Sequence, residues 1–316
     1  MSIRHFLSLM DLSPDEIRRV VARADEMKRD DEATRGDAVK HGDTIEHGDS
    51  DALLRDQTAA LVFEKSSTRT RVSFETGVAQ LGGHAIFLAP ADSHLARGEP
   101  IEDTARVLSR MARLIIMRTG AHERVERMAA HATVPVINAL SDFNHPCQQL
   151  ADIQTYRQHR GDLKGRRVAW VGDGNNVCHS WMNAARQLEF KLAIATPPKY
   201  APDDEMIRAC ADFIDLGNEP TVAVAGADAV VTDSWISMGQ EDERAAREAA
   251  FAGFCVDAAM MARAADDALF MHCLPAYRGF EVSAEVIDGA QSVVWDQAEN
   301  RLHAQKALIE FLLRGE

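Results

Sequence analysis

Ala60-Leu61-Val62-Phe63-Glu64-Lys65-Ser66-Ser67-Thr68-Arg69-Thr70-Arg71, followed at helical spacing by Phe74, Val78 and Leu81, joins an unbroken apolar run directly to an amphipathic pattern. A short apolar run bounded by polar turn residues reads as a strand buried on both faces, and the later spacing reads as a helix. That pairing of strand and helix is the repeat unit of a parallel sheet. Outward from it the same alternation recurs. His84-Ala85-Ile86-Phe87-Leu88, Leu114-Ile115-Ile116-Met117 and Val134-Pro135-Val136-Ile137 read as three more strands of one sheet. Arg167 to Val171, Leu192 to Ala195, Ala229 to Val231 and Leu269 to Met271 read as a second series. Ser13-Pro14-Asp15-Glu16 is a capping box with proline at the first helical position, and Ile17, Val20, Val21, Ala24 and Met27 continue it as a helix.

Chains beyond about 250 residues usually divide, so 316 residues with 46% apolar content predict two domains. The predicted class is α/β, each domain a parallel sheet flanked by helices. One domain is expected over 1–147 with 298–316 and the other over 148–297, because Ala304, Ala307, Leu308, Phe311 and Leu312 form a final apolar stripe that returns to the first domain. Residues 29–57 carry Asp, Glu, His and Gly with little periodicity and are expected to be an exposed, mobile insertion. His41 and His47 within it are read as part of a solvated loop rather than a metal site.

Formal charge is -14, with 49 acidic against 35 basic residues, which disfavours a nucleic-acid partner. Five cysteines without paired spacing suggest neither a disulfide framework nor a zinc ribbon, and fit a reducing cytoplasm. No apolar run reaches the roughly 18 residues of a membrane span, and Met1 to Leu12 lacks the pattern of a secretion signal. An anionic ligand would have to be held by a few local arginines.

Ser67 to Arg71 is the strongest candidate for such a site. A helix N-terminus offers unpaired N–H groups and the positive end of its dipole, and here hydroxyls and two arginines are added. Val171-Gly172-Asp173-Gly174-Asn175-Asn176 also follows a strand and opens a helix. It lacks the third glycine of a dinucleotide fingerprint, and the next strand ends in Ala195-Thr196-Pro197 without the acidic ribose ligand. Asn176 at that helix start could serve as its cap. Thr232-Asp233-Ser234-Trp235-Ile236-Ser237-Met238-Gly239 and His272-Cys273-Leu274-Pro275 each lie at the end of a strand, where open parallel sheets bind ligands.

Ser67-Thr68-Arg69-Thr70-Arg71 resembles the carbamoyl phosphate signature of the aspartate and ornithine carbamoyltransferases, and His145-Pro146-Cys147-Gln148 resembles that family's second such motif. Gly172 to Asn176, the Asp233 to Gly239 segment and His272 to Pro275 resemble the members that act on ornithine. The resemblance implies that Ser67, Thr68, Arg69, Thr70, Arg118, His145, Gln148, Cys273, Leu274 and Arg301 bind carbamoyl phosphate, with His94 reaching across from a neighbouring subunit. It implies that Asn176, Asp233, Ser237 and Met238 bind ornithine, and that Arg118, His145, Gln148, Asp233, Cys273 and Arg301 are catalytic. Leu274-Pro275 is a candidate cis peptide on the same ground.

The implied reaction moves a carbamoyl group from carbamoyl phosphate to the δ-amine of ornithine in a cleft between the domains, requires no metal or organic cofactor, and belongs to a homotrimer or a multiple of trimers. Putrescine or an acylated ornithine is the alternative acceptor, and intact Asp233 to Gly239 and Cys273 argue against both. A catalytically silent protein on the same fold is disfavoured because the motifs are complete.

Overall fold

The computed structural model describes residues 3–41, 53–89, 91, 98–236 and 241–315. The chain divides into two compact units, one of residues 1–154 with 299–316 and the other of 155–298.

In the first unit, α1 (Pro14–His41) begins at the predicted capping box, with Ser13 N–H on Glu16 Oε2 at 2.8 Å and Glu16 N–H on Ser13 Oγ at 3.3 Å. β1 (Thr58–Phe63), α2 (Thr68–Gln80), β2 (His84–Leu88), α3 (Ile101–Leu108), β3 (Leu114–Arg118), α4 (His122–His131), β4 (Val136–Leu140) and α5 (Pro146–Arg160) follow. The four strands pair in parallel in the order β2-β1-β3-β4. Ile17, Val20, Val21, Ala24 and Met27 are all buried beneath α1, as their spacing predicts.

The insertion expected over 29–57 needs correction. α1 runs on to His41, because Glu, Ala, Arg and Lys favour a helix even without an apolar stripe. Asp31 on this extension is 10% exposed and accepts from Lys306 Nζ at 3.1 Å. At the far end Leu54 is fully buried, and its N–H donates to the Leu81 carbonyl at 2.8 Å. His41 ends the helix, and His47 lies outside the described residues.

The second unit carries β5 (Arg167–Val171), α6 (Asn176–Leu188), β6 (Lys191–Ala195), α7 (Asp204–Ala209), β7 (Ile214–Gly217), α8 (Pro220–Ala223), β8 (Ala229–Thr232), α9 (Arg244–Ala250), α10 (Ala258–Met261), β9 (Leu269–His272) and α11 (Ala284–Ile287). Its sheet is also parallel, in the order β7-β6-β5-β8-β9. β7 escaped the sequence reading because only Ile214 of its four residues is buried, so this edge strand has no apolar run. β4 begins two residues later than expected, just past Pro135, which has no N–H to give a ladder.

The last helix, α12 (Val294–Arg314), starts in the second unit and ends in the first. Ala304, Ala307, Leu308, Phe311 and Leu312 are buried along it, so the predicted return is observed. Among the described residues no helix is long and apolar enough to cross a membrane.

Both strand orders place ligand sites. From β1 the chain moves to β2 on one side while β3 joins on the other, and from β5 it moves outward to β6 while β8 joins opposite. Loops diverge at such a reversal and leave a crevice at the carboxyl ends of the strands. Phe63 is in register with Arg118 at the first reversal, and Trp170 with Val231 beside the second.

Candidate functional site

At the first reversal Ser67 caps α2, its hydroxyl accepting from the Thr70 N–H at 3.2 Å. Thr68 and Arg69 thereby become the first residues of the helix, with Thr68 exposed and Arg69 half-buried. Glu64 anchors the approach to this turn: it takes hydrogen bonds from the Thr119 hydroxyl and from both Arg124 Nε, at 3.0 Å, and Nη2, while its own N–H reaches the Arg118 carbonyl at 2.8 Å. No sequence signal pointed to Glu64, since a carboxylate beside an anion motif looks unfavourable until Arg124 is placed on it.

Arg301 is buried and binds two groups of the same region. Its Nη2 donates to Thr70 Oγ1 at 2.9 Å, and its Nη1 donates to Gln148 Oε1. Gln148 Nε2 in turn donates to Asp152 Oδ1 at 2.7 Å, so the carboxylate fixes which end of the amide faces Arg301. Burial, reinforced by the positive charges of Arg301, Arg118 and Arg69, holds the His145 imidazole well below its ordinary range. His145 is therefore neutral at physiological pH, beside three arginines from α12, the end of β3 and the start of α2. Such a set suits an anion with a polar carbonyl attached, because the guanidinium groups carry the charge and an uncharged imidazole still presents one donor nitrogen.

Two residues of these motifs do other work. Arg71 pairs with Glu75 at 2.9 Å and lies over the Phe87 ring at 3.8 Å, so only Arg69 of the two arginines is among the charges felt by His145. Cys147 is fully buried, donates to the Asn138 carbonyl at 3.3 Å, and burial pushes its thiol up to about 12, which leaves it inert.

At the second reversal the glycine turn is a close packing. A Cβ on Gly174 would fall 2.3 Å from the Pro202 nitrogen, so only glycine fits. The helix cap is Asn175, whose Oδ1 accepts from Val177 N–H at 3.0 Å and Cys178 N–H at 3.2 Å. The expectation that Asn176 could cap the helix is thus corrected: Asn176 is its first residue, half-buried, with its side chain spared from capping. Asn175 Nδ2 also donates to Asp233 Oδ2 at 2.8 Å.

Asp233, 7% exposed, is the hub of this unit's constellation. Its Oδ1 accepts from the Ser234 N–H at 2.8 Å and from Cys273 Sγ at 3.1 Å. Next to Cys273, His272 Nδ1 accepts from the Leu274 N–H at 2.8 Å, which puts the ring proton on Nε2, 3.3 Å from the buried Glu281. The Leu274-Pro275 peptide is cis, as expected. Asp233, His272 and Cys273 place metal-ligating atoms within 4.8 Å of one another, but both imidazole nitrogens are already engaged and the thiol already faces the carboxylate. Hydrogen bonding accounts for that cluster. Asn175 and Glu281 were missed in the sequence, which offered Asn176, one residue past the true cap, instead.

Ser67, Thr68, Arg69, Thr70, Arg118, His145, Gln148 and Arg301 belong to the first unit, and Asn176, Asp233, Cys273 and Leu274 to the second. His94, Ser237 and Met238 lie outside the described residues.

Comparison with known proteins divides the chain near the same point, but leaves Arg301 and most of α12 in the second match. Residues 4–158 match the model of the aspartate/ornithine carbamoyltransferase carbamoyl-P binding domain, and residues 164–312 match that of the Asp/Orn binding domain. An ornithine carbamoyltransferase of Hydrogenovibrio crunogenus is 55% identical over 313 residues, 99% of each chain. An anabolic ornithine carbamoyltransferase of Pseudomonas aeruginosa is 52% identical over 99% of this chain and 98% of its own. The solved ornithine carbamoyltransferase of Pyrococcus furiosus superposes with a TM-score of 0.89 at 45% identity, covering 100% of this chain and 98% of that one.

Proposed function

Because the chain belongs to the aspartate/ornithine carbamoyltransferase family, we propose that it transfers the carbamoyl group of carbamoyl phosphate to the δ-amine of L-ornithine, giving L-citrulline and phosphate. The observation that carries this reading is Arg301 joined by hydrogen bonds to both Thr70 and Gln148, one residue from each of the two carbamoyl phosphate motifs. Arg69, Arg118 and Arg301, with Ser67, Thr68 and Thr70, would hold the phosphate. His145 and Gln148 would meet the carbamoyl group, and Cys273 and Leu274 are assigned to the same ligand.

Asp233 favours a cationic acceptor over aspartate, because a buried carboxylate repels a second acid and attracts an ammonium. Asn176, Ser237 and Met238 would bind the amino-acid end of ornithine. The δ-amine must lose a proton before it attacks, and Asp233 with Cys273 is the pair that would receive or relay it. The amine then forms a C–N bond at the carbonyl carbon, and negative charge grows on the carbonyl oxygen. Preorganised donors at that oxygen can contribute about 3 kcal/mol each. Collapse breaks the C–O bond, the electron pair leaves with phosphate toward the arginines, and the departing phosphate takes the remaining extra proton from the new C–N nitrogen.

We place the enzyme in the cytoplasm as a homotrimer or a multiple of trimers with His94 entering a neighbour's site; sedimentation equilibrium tests the assembly. The functional reading is tested by assaying ureido product from carbamoyl phosphate with ornithine, putrescine, N-acetylornithine and aspartate in turn. Citrulline alone is expected, and product from any other amine at a higher rate would overturn the assignment.

A further inference from the structure

Arg247 of α9 is 6% exposed and takes no part in the chemistry above. One of its nitrogens, Nη1, donates both to Asp173 Oδ2 at 2.7 Å and to the Trp235 carbonyl at 3.0 Å. Asp173 lies two residues before Asn175, and Trp235 two residues after Asp233. Asn175 and Asp233 are the two side chains that meet at 2.8 Å at the hub of the second unit.

The guanidinium has two further contacts. Nε donates to Glu243 at 2.8 Å, and the plane lies over the Tyr200 ring at 4.7 Å. Tyr200 returns to the same turn, since its carbonyl accepts the Gly174 N–H at 2.8 Å. A single side chain thus ties together the segments leaving β5, β6 and β8, two of which carry Asn175 and Asp233.

We infer that Arg247 is a positioning residue for ornithine: by joining Asp173 to the Trp235 carbonyl it braces the main chain on both sides of the Asn175–Asp233 hydrogen bond and so fixes the Asp233 carboxylate. This rests on the function proposed above. Asp173 is suited to the brace because it is 7% exposed; burial pushes its carboxyl up to about 6 against the pull of Arg247, so the guanidinium is what keeps it ionised. Arginine is required rather than lysine, because three acceptors met by two different nitrogens and an aromatic face must be satisfied at once by one planar group.

The test uses the full chain and begins with citrulline formation by the parent protein, which separates failure of the functional reading from failure of this one. Arg247→Met is expected to raise the ornithine KM by about 10- to 100-fold, the usual scale for a misplaced binding group. Carbamoyl phosphate affinity, measured by calorimetry, is expected to stay within about twofold, because its ligands stand on other elements. Arg247→Lys should recover only part of the loss. Asp173→Asn should raise the ornithine KM alone, yet add less than about twofold to Arg247→Met, as expected of two residues acting through one contact. If Arg247→Met does not fold, Arg247→Lys and Asp173→Asn carry the same comparison. An ornithine KM within twofold of the parent in these folded variants, or an equal loss for both substrates, would overturn the assignment.

Discussion

Cys273 Sγ donates to Asp233 Oδ1 at 3.1 Å, across forty positions of sequence. A thiol spent on a carboxylate helps hold the acid in one rotamer, and the function proposed above would set that pair beside the amine that must shed a proton.

Cys273→Ser keeps a donor but shortens the side chain and changes its acidity, so the ornithine KM should rise by roughly tenfold; carbamoyl phosphate, which keeps Arg69, Arg118, Arg301 and its other assigned partners, should lose much less. Steady-state kinetics with each substrate varied separately would show this. Equal losses for both substrates would assign the sulfur to packing.

Arg69→Ala removes one charge-assisted partner of the proposed phosphate and should weaken carbamoyl phosphate by about 1.5–3 kcal/mol without unfolding the chain. Calorimetric titration reads the affinity and circular dichroism the fold. Unchanged affinity would remove Arg69 from the site. Arg71→Ala is the control; its charge is already placed on Glu75, so affinity should change little.

Burial pushes His303 on α12 down to about 4, well below the ordinary 6.5 of a histidine. With the folded pKa depressed, the unfolded chain takes up the proton first on acidification. Stability should therefore be complete above pH 6.5 and fall as pH drops toward 4, by up to about 3 kcal/mol. His303→Gln should flatten that part of a plot of melting temperature against pH. An unchanged slope would show that other groups carry the acid sensitivity.

Lys306 and Asp31 form an ion pair with side chains 2% and 10% exposed. Lys306→Ala would strand a buried carboxylate and should cost about 3–5 kcal/mol, whereas Lys306→Met with Asp31→Leu should cost much less. Urea denaturation of the three proteins measures both. Similar losses for the single and double variants would show that packing volume, not charge, is what matters here.

The alternation of apolar runs and helical stripes made both parallel sheets legible, because strands buried on two faces leave a continuous signal such as Leu114 to Met117. β7 left no such signal because solvent meets three of its four residues. The extension of α1 was hidden for a related reason. Lys306, 275 positions away, holds Asp31, so the contact that stabilises the segment cannot be seen in its own periodicity. In the candidate site, residues at motif positions were readable one by one, whereas the residues that orient them were not. Glu64, Asp152, Asn175 and Glu281 act through partners distant in sequence or on the next turn, and nothing in their immediate neighbours announces it.

The first unit is interrupted in sequence: the second, continuous from 155 to 298, is inserted before the helix that completes it. Domains fold as units during synthesis, the earlier ones generally first. Here the order of birth and the order of completion differ. The segment inserted later holds all its strands before the chain end leaves the ribosome, while the segment born first waits for Arg301, Lys306 and the apolar stripe of α12. A chain that ended at residue 298 would carry every strand of both units yet leave uncovered, in the first, the apolar surface that Ala304, Ala307, Leu308, Phe311 and Leu312 bury.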